Sequence, residues 1–277
     1  MTTPRPSLLT IAGADPSSGA GIGADMAVMR DWGYHATSVI TAVIAQDTTG
    51  VRAFWPTTRE QVDAQLTCIL GDIPPAGVKL GVLASPATVE VVAHHLAAQG
   101  RSLPVILDPV LASGQNDATL GGRAVAAALT RWLLPHVTLL TPNAPEASVL
   151  TGLPVRDRDE QLQASLRLVE MGASAVLLKG GHLDGAPGDL LVHSVQGGRP
   201  RQRWFPVEQT YPYAVRGTGC HLATALCAAL ASGLDMEPAV ARARAYLDRH
   251  WRDRAEALGR GARVFVHAAE RRPWEPS

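Results

Sequence analysis

The chain has 277 residues, 46% of them hydrophobic and 18% charged, a length that suits one large α/β core or two small domains. Its 25 lysines and arginines balance 25 aspartates and glutamates, so no global field recruits nucleic acid or an anionic membrane, and a small-molecule partner is expected instead. The opening "MTTPRPSLLTIAGADPSSGAG" has an apolar run of only about six residues, without a signal-peptide layout, and no later stretch nears the ~20 apolar residues of a membrane span; a cytoplasmic protein is expected.

Short apolar runs alternate with longer amphipathic ones, which is the pattern of βαβ units on a largely parallel sheet. In chain order, "LLTIAG" predicts a strand, followed by a helix over about 19–32. "TSVITAVIA" precedes a helix at about 59–71, "GVKLG" one at 86–99, and "PVILD" one at 120–134. "VTLLT" leads to a short helix at 144–151 and a longer one at 159–172, and "SAVLLK" follows. "GDLLVHS" and "RQRWFPV" then flank the turn-like "VQGGRP", predicting an antiparallel hairpin at the sheet edge. Helices at 218–233 and 237–257 finish the chain, with Gly233 as a helix stop and Pro238 in the first turn of the last helix. There is no internal repeat or linker, so a single domain is expected, closed by a loose tail, "ERRPWEPS".

Cys68, Cys220 and Cys227 have neither metal-ligand nor disulfide spacing. The last two would lie about 10 Å apart along one helix, so reduced thiols are expected.

Ligands of an open parallel sheet bind at the carboxyl ends of its strands, and here those ends are polar or small. "LLTIAG" runs into Gly13 and Asp15, "VIA" into Gln46 and Asp47, and "PVILD" ends on Asp108. "VTLLT" leads to Asn143 and Glu146, and "SAVLLK" ends on Lys179 before two glycines. "GTGCHLATAL" then enters a helix through a glycine-rich turn, so backbone N–H groups point outward with the positive end of the helix dipole behind them. An anion hole, a lysine and two carboxylates able to carry Mg²⁺ are the parts that phosphoryl transfer needs, because its catalysis is mainly positioning and charge neutralisation. The residues therefore read as a nucleotide-dependent kinase.

Each piece also has a plainer reading. The glycines of "SSGAGIGAD" at 17–25 occur in ordinary tight turns, and no G-x-x-x-x-G-K-[ST] loop is present. Asp108 could cap a strand, Glu146 could serve the helix dipole, and Cys220 could be a small buried hydrophobe. A lysine continuing an apolar strand, as Lys179 does, needs an anionic partner.

Together the motifs "TIAGADPSSGAGIGAD", "SVITAVIAQDTTGV", "VKLGVLAS", "ILDPVLAS", "LLTPNAPEASVLTG", "VLLKGGH" and "GTGC" resemble, in family order, the hydroxymethylpyrimidine/phosphomethylpyrimidine kinases of thiamine biosynthesis, within the ribokinase-like superfamily. The resemblance runs from about Leu8 to Val266. It implies a three-layer α/β/α fold with a mostly parallel central sheet, and a homodimer. It also implies that Gly13, Asp25, Gln46, Val82 and Val110 surround an aminopyrimidine, with Asp25 and Gln46 hydrogen-bonding its polar edge.

By the same resemblance, Asp108 and Glu146 organise Mg²⁺, while Lys179 neutralises the phosphates of ATP and Asn143 positions them. The amides of Gly217, Thr218, Gly219 and Cys220 hold the transferring phosphoryl group. In most ribokinase-like sugar kinases the residue ending this motif is a general-base aspartate; in this subfamily it is a cysteine, matched by Cys220. A thiol at a helix amino terminus has its pKa lowered from about 8.5, so a thiolate is expected near neutrality to take the substrate proton.

The flanks of the motif depart from the family pattern Asn-Thr-His-Gly-Thr-Gly-Cys-Thr. Ala214, Val215 and Arg216 precede "GTGC" and His221 follows it. Arg216 could act as a phosphate clamp among the nucleotide-binding residues, or it could face solvent. His221 could pair with the thiol, or be an ordinary histidine, since adjacent helical residues project about 100° apart. Gly23 replaces a common glutamine, and the segment after "DPVLAS" is short and reads "GQNDATL".

The expected activity is ATP-dependent phosphorylation of 4-amino-5-hydroxymethyl-2-methylpyrimidine and of its monophosphate. The alternatives are a pyridoxal or pyridoxine kinase, against which "AQD" at 45–47 speaks, and a non-catalytic pyrimidine sensor.

Overall fold

The computed structural model describes residues 4–99, 103–111, 121–181, 183, 187–194 and 199–267. The apolar runs become strands β1 (Ser7–Ala14), β2 (His35–Asp47), β4 (Val78–Leu80), β5 (Val105–Leu107), β6 (Leu139–Leu140) and β7 (Ala175–Leu178). All pair in parallel, in the order β2-β1-β4-β5-β6-β7. The crossovers between them bury both faces of the sheet, which explains why these strands are almost continuously apolar.

Helices α1 (Gly21–Asp31), α7 (Thr218–Ala231) and α8 (Met236–Arg254) cover one face. They enclose a core that includes Leu8, Val28, Ile106, Leu177 and Leu226. Helices α2 (Arg59–Asp72), α3 (Pro86–Ala98), α4 (Gly122–Ala128), α5 (Ala144–Thr151) and α6 (Arg158–Glu170) cover the other, around Ile11, Val39, Leu80, Val92 and Leu168. The result is the three-layer α/β/α arrangement implied above. Among the described residues no helix is long and apolar enough to cross a membrane.

The expected hairpin forms from β8 (Gly188–His193) and β9 (Arg201–Pro206), antiparallel to each other, and extends the sheet beyond β7. Most of its turn, residues 195–198, lies outside the described residues, as do "GQNDATL" and the closing "ERRPWEPS". Gly233 sits in the left-handed region just past α7, and Pro238 falls in the first turn of α8, as expected.

Three features were not anticipated from the sequence. Strand β3 (Gly50–Pro56) folds back antiparallel on β2 at the opposite sheet edge. Its turn lacks the usual Asn-Gly or Asp-Gly signature and is built by Asp47, whose Oδ1 accepts from the Thr49 and Gly50 amides at 2.8 and 3.2 Å. The helix at 120–134 is not continuous: α4 gives way to a π turn at Leu129–Leu133 and a 3₁₀ turn at Leu134–His136, because Pro135 cannot continue the α-helical ladder. A two-stranded antiparallel pair, β10 (Ala255–Glu256) and β11 (Val264–Phe265), follows α8.

Candidate functional site

Helix α7 begins at the carboxyl-terminal edge of the sheet. Gly217, its N-cap, has φ +72°, and a side chain there would collide with the Gly19 carbonyl, so only glycine suits the position. The first intrahelical bond runs from the His221 amide to the Gly217 carbonyl at 2.9 Å, which leaves the amides of Thr218, Gly219 and Cys220 ahead of the ladder. No side chain caps this end.

Two charged residues approach it. Lys179 Nζ donates to Asp108 Oδ1 at 3.0 Å, and a Cβ on Gly219 would stand 3.2 Å from both Asp108 Oδ2 and Lys179 Nζ. The second glycine of the motif therefore lets the helix start close on this ion pair. Burial lowers the Lys179 pKa, but Asp108 and Glu146 outweigh it and the net shift is upward; the lysine is a fixed cation.

Asn143 and Glu146 sit on the neighbouring turn. Asn143 caps α5 by accepting from the Glu146 amide at 2.8 Å, and Glu146 accepts from the Asn143 amide at 2.8 Å, a reciprocal capping box. The same Asn143 bridges in parallel to Lys179 on the adjacent chain segment. Glu146 is buried, and burial holds its carboxyl above the ordinary range, with Lys179 opposing and Asp108 reinforcing the rise. Two carboxylates thus share one lysine.

Cys220 is a free, partly buried cysteine, and the structure corrects the expectation for its thiol. Burial pushes its pKa up to about 11; Lys79 and the Gly21 amide oppose the rise, while Asp25 and Asp108 add to it. A thiolate here is buried and faces two carboxylates, which together outweigh Lys79 and the Gly21 amide.

Lys79 escaped the sequence reading, and it accounts for Asp25. Both side chains are fully buried, and Lys79 Nζ donates to Asp25 Oδ1 and Oδ2 at 2.9 and 2.8 Å. Thr10 and Thr224 hydroxyls donate to the same carboxylate at 2.6 and 2.9 Å. Asp25 is therefore saturated by its own chain instead of facing a pyrimidine edge. The signal was legible: a lysine inside the apolar strand "GVKLG" needs a buried anion for the reason given for Lys179.

Of the other residues expected around the substrate, Gly13, Val82 and Val110 come together. Val82 and Val110 pack with Ala42, Ile44 and Ala84 in a small apolar cluster at the strand ends, and Gly13 lies so near Ile44 that a Cβ would stand 2.6 Å from its methyl group. Gln46, two residues beyond Ile44 on β2, is engaged by its own chain, its Nε2 donating to Asp15 Oδ2 at 2.7 Å. It borders a cavity of about 370 Å³ lined also by Ser17, Thr48 and Arg260.

His221 does not pair with the thiol. Its Nδ1 lies 2.8 Å from the Gly217 carbonyl, its ring stacks on His267 and meets Phe265 edge-on, and burial lowers its pKa to about 3. Arg216 is half-buried; its backbone amide bonds the Arg263 carbonyl at 2.9 Å, and its buried Nε has no partner among the described residues.

The chain has known relatives. Residues 15–265 match the Phosphomethylpyrimidine kinase family. The chain is 38% identical over 252 residues to the hydroxymethylpyrimidine/phosphomethylpyrimidine kinase of Streptomyces coelicolor, covering 89% of this chain and 91% of that one. It is 39% identical over 225 residues to the enzyme of the same name from Escherichia coli, covering 81% and 82%. Among solved structures, phosphomethylpyrimidine kinase from Clostridium difficile superposes with a TM-score of 0.77 at 31% identity, over 88% of this chain and 99% of that one. An ADP complex of Bacillus subtilis pyridoxal kinase gives 0.83 at 26% identity, over 95% and 98%.

Proposed function

The chain belongs to the phosphomethylpyrimidine kinase family and is a phosphotransferase, and from that premise we propose that it phosphorylates 4-amino-5-hydroxymethyl-2-methylpyrimidine with ATP, and then its monophosphate. The observation that carries this reading is the convergence at Gly219, where the start of α7 comes close to the Asp108 carboxylate and the Lys179 ammonium.

In the proposed reaction the substrate hydroxyl oxygen bonds to the γ-phosphorus of ATP as the bond to the β–γ bridging oxygen breaks, releasing ADP. The amides of Thr218, Gly219 and Cys220 receive the equatorial oxygens, where charge spreads in the transition state. Lys179 neutralises the phosphates, Asn143 orients them through its side-chain amide, and Arg216 adds a cation on the loop before the hole. Cys220 takes the hydroxyl proton as its thiolate; because the transition state is loose, that transfer comes late. Gly13, Gln46, Val82 and Val110 would hold the ring, the valines against its faces and Gln46 at its polar edge. Asp25 with Lys79 acts behind this layer, as the support on which β1, β4 and α7 meet.

The donor chemistry fits Mg²⁺: Asp108 and Glu146 offer hard carboxylate oxygens in excess of the one lysine beside them. When bound there, the ion would offset phosphate charge. The exposed apolar residues Ile40, Val43 and Trp55 on the β2–β3 edge support the homodimer implied by the family pattern.

The test is product analysis by mass spectrometry with Mg-ATP and a panel of the aminopyrimidine alcohol, its monophosphate and pyridoxal. The expected result is phosphorylation of both pyrimidines with a higher kcat/KM than for pyridoxal. A folded protein that binds the pyrimidine without consuming ATP, or that prefers pyridoxal, overturns the reading.

A further inference from the structure

On the face of the molecule covered by α1, α7 and α8, Asp31, His250 and His267 bring together one oxygen and two ring nitrogens. Asp31 ends α1, His250 lies on α8 and His267 follows β11. Asp31 Oδ2 is 3.2 Å from His250 Nε2 and 2.9 Å from His267 Nδ1, and the three atoms all lie within 4.8 Å of one another. Asp31 is the exposed member of the three, its side chain 35% accessible, so the cluster reaches solvent.

Hydrogen bonds on the far sides of the rings hold their orientation. Gly217 O accepts only, so His221 Nδ1, 2.8 Å away, must donate. His221 Nε2 in turn lies 2.9 Å from His267 Nε2, so the far side of the His267 ring is held by hydrogen bonding. By the same logic His250 Nδ1 donates to the Tyr246 carbonyl at 3.0 Å. His250 Nε2 and His267 Nδ1, on the opposite sides of their rings, both point at Asp31 Oδ2. Two imidazole nitrogens and a carboxylate oxygen thus converge on one point.

We propose that Asp31, His250 and His267 bind one divalent transition-metal ion of the zinc class. Two imidazoles and a carboxylate are an ordinary zinc donor set, with water completing a tetrahedron. The outer hydrogen bonds are those that ligating histidines make, each ring donating its second N–H to a carbonyl or another acceptor. Tyr246 Oη, donating to Asp31 Oδ2 at 2.8 Å, orients the carboxylate. The ion clamps the segment after β11 to α1 and α8. Through His221 it also braces the carbonyl of Gly217, the residue on which the amide hole begins. The site is independent of the kinase reading and is separate from the Asp108–Glu146 carboxylates.

The test uses the full-length chain, freed of metal by chelator and titrated with Zn²⁺ in the absence of nucleotide, with Co²⁺ as a spectroscopic probe. The expected result is one zinc per chain, a raised thermal midpoint, and tetrahedral cobalt bands without a thiolate charge-transfer band. His267→Ala and His250→Ala should each weaken uptake by at least about tenfold, and Tyr246→Phe, which keeps every ligand, by about tenfold. Circular dichroism verifies folding of each variant; should His250→Ala unfold, His267→Ala and Tyr246→Phe carry the test. Absence of stoichiometric zinc, uptake unchanged in His267→Ala, or a thiolate–cobalt band overturns the proposal.

Discussion

Lys79 Nζ bridges both carboxylate oxygens of Asp25, at 2.9 and 2.8 Å, with neither side chain exposed. The pair joins β4 to α1, and the Thr224 hydroxyl ties α7 to it. Removing one member strands a buried charge, so Lys79→Met should cost about 3–5 kcal/mol of unfolding free energy. The double variant Lys79→Met/Asp25→Leu should recover much of that loss, since no lone charge remains. Denaturant unfolding of the three proteins checks this; a Lys79→Met variant as stable as wild type would remove the pair from its structural role.

The thiol of Cys220, pushed up to about 11 by burial, gives a pH prediction. Its reactive form is the base, so the thiolate fraction rises about tenfold per pH unit up to the folded pKa and is about one in 10⁴ at pH 7. Single-turnover phosphoryl transfer should therefore accelerate from pH 7 to 9. Cys220→Ser should lose that slope and about 10²–10⁴ in rate while retaining Mg-ATP binding. A rate flat with pH in the chemical step removes Cys220 from the role of base.

Gly219→Ala places a methyl group 3.2 Å from Asp108 Oδ2 and Lys179 Nζ. Neither is free to move far, because Lys179 Nζ is held to Asp108 at 3.0 Å. The helix start must shift, and displacement of this order should lower kcat by about 10²-fold, with unfolding free energy changed far less. Steady-state kinetics beside thermal unfolding separates the two.

Lys179→Ala removes the cation shared by Asp108 and Glu146. Nucleotide Kd should rise and kcat fall by about 10²–10³ together, readable by calorimetry with a non-hydrolysable ATP analogue and by turnover. Unchanged nucleotide affinity would place the phosphates elsewhere.

Glu146→Gln tests the second carboxylate without dismantling α5, because glutamine can still accept from the Asn143 amide. Burial disfavours the charged form of Glu146, so the variant should be at least as stable as wild type. The Mg²⁺ concentration giving half-maximal rate should nevertheless rise by about tenfold or more. Asn143→Ala should do the reverse in stability, losing about 1 kcal/mol with its cap.

The amino-acid order by itself determined the parallel strands, most of the helices and the edge hairpin, because each apolar run and helix cap is a local signal: "PVILD" or "LLTPNAPEASVL" carries its own period and its own start. It also determined the gathering of Asp108, Glu146, Lys179 and "GTGC" at one end of the sheet, since residues after parallel strands share an edge whatever their spacing in the chain. The tertiary structure alone decided which of those groups touch. Asp25 and Lys79, separated by 54 positions, neutralise each other in the interior. The Cys220 pKa is set by buried neighbours that no helix-end rule contains. His221 turns from the thiol towards a residue 46 positions away. Charge and desolvation act through space, and their sum at any atom is fixed only when distant segments pack.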